Sequence, residues 1–142
     1  MKSANIASNA VSTVKIANAA VSRAKLANDA LYSPINSISA TTYSVVATDI
    51  GKTIVVTATA NCTITISDSV FAALPLGAEI AVLPWIHNNT NNVTITLGSS
   101  YYMNKPGEAG VKGGSVVTNT RYGMVALKKI TSTSLLATGP ID

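Results

Sequence analysis

The sequence predicts a mainly β protein in which a thin N-terminal repeat stalk leads into an antiparallel β-sandwich or β-prism head. Three observations predict it. Residues 6–31 repeat every ten positions, residues 53–138 carry short runs that alternate with a period of two, and the surface is built from hydroxyls and amides instead of charge. On the last point, the 142 residues include 15 Ser, 17 Thr and 12 Asn but only 11% charged residues, about half the usual share. The 14 Val and 13 Ile argue against disorder of the chain as a whole, since so apolar a composition favours collapse.

The repeat comes first in the chain. Ile6, Val11, Ile16, Val21, Leu26 and Leu31 fall at every fifth position; Ala7, Ala17 and Ala27 align, as do Ser12 with Ser22 and Lys15 with Lys25. A continuous α-helix does not account for this spacing, because five residues advance a helix by roughly 140° and would scatter the six side chains around the axis. A unit that joins a short extended piece to a tight turn accounts for it. A competing set at heptad spacing (Ala7, Ala10, Val14, Ala17, Val21 and Ala24) fits an alanine-lined helical trimer. In either case one large apolar residue in five cannot offset the entropy of ordering so narrow a segment. Shelter must come from other chains, which predicts a fibrous oligomer; the rival reading is a tail that stays disordered until it docks on a partner.

Residues 34–42 read as a junction, since Pro34 and the Ser/Asn/Thr cluster after it break any regular pattern. Residues 43–142 then read as the head. Thr53 to Thr59, Cys62 to Ile66, Ala78 to Trp85, Val93 to Leu97, Tyr122 to Ile130 and Thr133 to Thr138 read as strands, separated by turn signals such as Gly51, Asn61, Gly77 and Gly98. Val70 to Ile86 is the most apolar stretch. Its 17 residues with Glu79, Pro75 and Pro84 fall short of the roughly 20 that span a bilayer, so strand–turn–strand is expected, with no membrane insertion. Threonine-rich outer faces with little charge suit a sheet that meets another subunit or a receptor.

Residue counts narrow the chemistry. One cysteine, Cys62, excludes an intrachain disulfide, and one histidine, His87, excludes a two-histidine metal site within a chain. Asp68, Glu79 and Glu108 are too scattered to nominate an acid–base pair. No catalytic residue, cofactor or metal is assigned, and the expectation is a protein that is not an enzyme. Gly51-Lys52-Thr53 lacks the upstream glycine of a phosphate-binding loop. Lys2, Lys15, Arg23 and Lys25 stand against Asp29 in the repeat without interleaved aromatics, so no nucleic-acid partner is expected. Lys2 is followed by Ser, Ala and Asn, which does not read as a secretory leader. Two stretches stand out as candidate receptor or interface loops. One holds Trp85, His87, Asn88 and Asn89, where Trp85 is expected to be a core or interface filler. The other, from Tyr101 to Gly114, holds Tyr101, Tyr102 and Lys105 and is expected to be an exposed loop.

The pattern Ala10-Val11-Ser12, Lys15-Ile16-Ala17-Asn18, Ala20-Val21-Ser22, Ala24-Lys25-Leu26-Ala27 resembles the decad repeats of bacteriophage tail-fibre and related virion fibre proteins. The strand patterns after it look like the small β-rich tip domains that follow such stalks. The resemblance implies a homotrimer with the six fifth-position residues in the stalk core. Residues 1–33 would dock on other virion proteins, and the head would contact a host-surface glycan or protein. It implies a short tail fibre or head fibre assembled in the bacterial host cytoplasm. A capsid decoration or cement trimer that stabilises the head shell is the alternative.

Overall fold

The computed structural model describes residues 33–85, 91–118 and 121–142. The chain divides into Met1–Ser33 and Pro34–Asp142, and the fold is that of the second unit. The decad positions Ile6, Val11, Ile16, Val21, Leu26 and Leu31 lie outside the described residues, as do His87, Asn88 and Asn89.

The unit is mainly β, with two sheets. Its first six strands are β1 (Ile35–Ile38), β2 (Thr42–Ser44), β3 (Thr53–Val56), β4 (Cys62–Ile66), β5 (Glu79–Pro84) and β6 (Val93–Leu97). They alternate between the two sheets, so the chain coils. Odd-numbered strands pair in parallel as β1–β3–β5, and even-numbered strands pair in parallel as β2–β4–β6. Backbone bonds carry the ladder into the corners, where Thr57 N–H donates to the Ile38 carbonyl at 2.7 Å and Trp85 N–H to the Val56 carbonyl at 2.8 Å. The remaining strands are β7 (Tyr102–Asn104), β8 (Val111–Lys112), β9 (Ser115–Thr118), β10 (Val125–Lys129) and β11 (Ser134–Thr138). They complete a seven-stranded sheet of order β1-β3-β5-β10-β11-β7-β8 and a four-stranded sheet of order β2-β4-β6-β9.

The expected antiparallel pairing is therefore corrected to a mixed one, since β11 also pairs with β7 in parallel while β10, β9 and β8 pair antiparallel. The cause is the connections. Alternation reports which face of a strand is buried and not which strand lies beside it. The segments that carry the turn signals Gly51, Asn61, Gly77 and Gly98 are corners that move the chain from one sheet to the other. The expected junction contributes β1, and the stretch from Val70 is not strand–turn–strand. It begins inside a helix, α1 (Asp68–Ala73). Ser67 caps it by accepting a hydrogen bond from Val70 N–H at 3.4 Å, Asp68 stands in the first turn, and Pro75 follows its end.

Inward side chains from both sheets form one core. Ile54, Val82 and Val125 share a row in the larger sheet, and Ile64, Ile95 and Val116 share one in the smaller. All six are fully buried, together with Phe71 of α1. Two charged groups are enclosed with them. Asp49 accepts hydrogen bonds from Tyr43 Oη (2.8 Å), Asn36 Nδ2 (3.1 Å) and Val46 N–H (3.0 Å). These three donors meet the solvation needs of a carboxylate in the interior. Lys129, 4% exposed, donates from Nζ to the Phe71 and Leu74 carbonyls, each at 2.8 Å, and lies 4.5 Å from the centre of the Phe71 ring. It thereby gives the Leu74 carbonyl a donor, adds a second donor to the Phe71 carbonyl, which also accepts from Leu74 N–H at 3.2 Å, and places a cation at the negative end of the helix.

Two consequences can be measured. Lys129→Met strands the Leu74 carbonyl, removes a charged donor from the Phe71 carbonyl and is expected to lower the urea-derived unfolding free energy by about 2–3 kcal/mol. A second concerns pH. Burial, and then the hydrogen bond to Asp49, raises the Tyr43 phenol above its ordinary 10.0, and burial raises the Cys62 thiol above 9.0. Both groups keep their protons in the fold where the unfolded chain has begun to lose them, so stability falls as pH rises. Their contribution is flat below pH 9.0 and declines above it. Tyr43→Phe is expected to remove the part of the decline that begins near pH 10.0, read from denaturation midpoints across alkaline pH.

Candidate binding surface

The outer faces of the two sheets differ in chemistry. On the four-stranded sheet the strand registers align Thr42, Thr63 and Thr94 in one row, and Ser44, Thr65, Thr96 and Ser115 in the next. The first row ends at Val117, opposite Thr94; the remaining positions form hydroxyl arrays without charge. The threonine repeats of β4 and β6 make this face visible in the sequence; the register that brings them side by side does not appear there.

The seven-stranded sheet carries an aromatic pair. Trp85 follows β5 and Tyr122 precedes β10. Because Val82 lies opposite Val125 in the antiparallel pairing of these strands, three further steps bring Trp85 opposite Tyr122. Tyr122 N–H donates to the Pro84 carbonyl at 3.0 Å. The two rings meet edge to face, with centroids 4.6 Å apart and planes at 60°. The Arg121 guanidinium lies 5.2 Å from the centre of the Tyr122 ring and donates to its hydroxyl at 3.1 Å. Trp85 is 44% exposed, Tyr122 46% and Met124 54%.

The expectation of a core role for Trp85 is thereby corrected, while an interface role stays open. The reason is strand parity: the buried positions of β5 are Ile80, Val82 and Pro84, so Trp85 points the other way. Tyr122 has a φ of 58° and is the only non-glycine residue with positive φ among those described. A bulky side chain in this conformation carries strain of order 1–3 kcal/mol. Neither Arg121, Tyr122 nor Met124 emerges as a site from the sequence; the one available signal is the turn-forming Tyr122-Gly123 dipeptide.

The other expected loop, from Tyr101 to Gly114, contains the β7–β8 hairpin and its turn. Tyr101 turns inward, its ring 4.2 Å from that of Phe71. Tyr102 faces outward at 42% exposure, and Lys105 pairs with Glu108 at 2.9 Å. Tyr102 lies opposite Ser134, near the end of β10 that is remote from Tyr122. Tyr102 and the Trp85–Tyr122 pair therefore lie apart on this sheet. Cys62 is 1% exposed and donates to the Ala40 carbonyl at 3.5 Å; its raised pKa keeps it a thiol, which suits packing and not nucleophilic attack.

Among the described residues, no three His, Cys, Asp or Glu side chains group closely enough to hold a metal ion, and no helix is long and apolar enough to cross a membrane. No family model matches the sequence, and comparison with curated proteins and solved structures finds no match.

The strain at Tyr122 predicts an unusual pair of variants. Tyr122→Gly relieves the positive φ while losing a ring contact of about 0.5–1.5 kcal/mol, so its thermal midpoint should stay near that of the parent. Tyr122→Val keeps the strain with a β-branched side chain and is expected to lose roughly 1–2 kcal/mol more than the glycine variant. Equal losses in the two melts would mean that the backbone there is unstrained.

Proposed function

We propose that this chain is a structural virion protein. It forms a homotrimeric short fibre that docks on the particle through residues 1–33 and presents the β head to the host surface. One observation carries the reading: six large apolar residues from Ile6 to Leu31 recur at every fifth position directly ahead of a compact β unit. A segment with that spacing has no room for a core of its own, whereas three copies wound together enclose one. The head's hydroxyl rows support a surface role, since Thr63, Thr65, Thr94 and Thr96 offer hydrogen-bonding groups to a polyhydroxyl ligand without the desolvation cost of charge. The exposed Tyr102 hairpin adds a second outward contact. The role is structural rather than catalytic.

Sedimentation of the full chain tests the assembly, with a mass of three chains expected and a mass of one overturning the trimer. Copy number in purified particles tests the position. A handful of trimers per particle is expected for a short tail fibre, and hundreds would move the protein to the capsid as a decoration trimer.

A further inference from the structure

We infer that the outer face of the seven-stranded sheet, from β1 across β3 and β5 to β10, packs against a second copy of this chain, with Trp85 and Tyr122 as its anchors. The inference rests on the trimeric reading and specifies which head surface meets its neighbour.

The face is apolar where a free surface would be charged. Strand register places Ile35, Thr53, Ala81 and Ala126 in one outward row, and Ser37, Val55 and Leu83 in the next. Ile35 is 71% exposed and Met124 54%. The charged side chains registered between β5 and β10, Glu79 and Lys128, neutralise each other at 2.7 Å. Small residues in the first row leave the sheet flat enough for close approach. The exposed Trp, Tyr, Met and Arg beside it are the residue types concentrated at protein interfaces and their energetic centres. The hydroxyl face of the other sheet hydrates well and lacks this drive.

Chain continuity selects the partner. Ile35 stands two residues beyond Ser33, where the repeat-bearing unit ends, and β1 is the edge strand of this sheet. Copies gathered around an axis by their repeats hold each Ile35 within about 7 Å of the point where its own repeat unit ends. Of the strands, β1, and with it the sheet it begins, is thus the one tethered most closely by the chain to the repeat. Tyr122 adds an independent sign. Its strained backbone holds out a ring that is 46% exposed in the single chain, so burial within that chain does not compensate the strain, whereas burial against a neighbour would.

The chain has one tryptophan, so its emission reports on this face alone. Acrylamide quenching of the full chain, at concentrations where sedimentation gives the oligomer, is expected to be several-fold weaker than in the urea-unfolded chain. Leu83→Glu and Met124→Glu place a charge on the outward side of the sheet and are expected to restore strong quenching, while Thr65→Glu on the opposite sheet leaves Trp85 shielded. Should a glutamate variant fail to fold, the comparison of native with urea-unfolded parent still decides. A trimer in which Trp85 is quenched as freely as in urea overturns this interface and leaves the fibre standing, as would shielding that appears only when a host glycan is added. A monomer overturns both. Shielding in an oligomer of another size supports the face and overturns the trimer.

Discussion

Everything in the β unit depends on the register between successive coils. Ile54 rests beside Val82, and Val82 beside Val125, while Ile64, Ile95 and Val116 repeat the arrangement across the core. A slip of one residue in β4 or β6 would turn Thr63 and Thr65, or Thr94 and Thr96, into the interior and expel the isoleucines. Each hydroxyl would then need a partner that the core does not hold. The threonine rows outside and the aliphatic rows inside are thus one constraint seen from two sides. The surface chemistry of the smaller sheet is coupled to the specification of its core.

Two buried charges mark places where this repetition has to stop. The Asp49 carboxylate gathers Tyr43, Asn36 and the Val46 amide close to the first coil. The Lys129 ammonium ties the last turn of α1 to the row that holds Leu135 and Met103. Each uses its hydrogen bonds to satisfy backbone or side-chain groups that a wholly apolar filling would leave unpaired. Neither charge has a counter-ion among its bonded partners, so their role is to fix geometry, and neither is placed to bind a ligand.

The larger sheet presents a different balance. Its inner face completes the core, but its outer face combines Ile35, Val55, Leu83, Met124, Trp85 and Tyr122 with few charges. Such a face is stable in water only at some cost. The strained Tyr122 shows that local backbone preference has been set aside to keep an aromatic ring beside Trp85. The proposed fibre gives this face a use, since a stalk that gathers copies delivers their first strands to one another.

The sequence by itself determined the β class, the extents of β4 and β6, the inward placement of Ile64, Ile66, Val93 and Ile95, and the hydroxyl character of the opposite face. Those features follow from side-chain alternation along a single strand, which is local information. It also supplied the ten-residue repeat. Tertiary structure alone decided that β1, β3 and β5 lie parallel, that Asp68–Ala73 is helical, and that Tyr101 turns inward to Phe71 while Trp85 turns outward to Tyr122. Pairing partners are chosen by chain connections and by packing between residues far apart in sequence, where Trp85 and Tyr122 are neighbours only because β5 and β10 are. Periodicity along one strand carries no record of that choice.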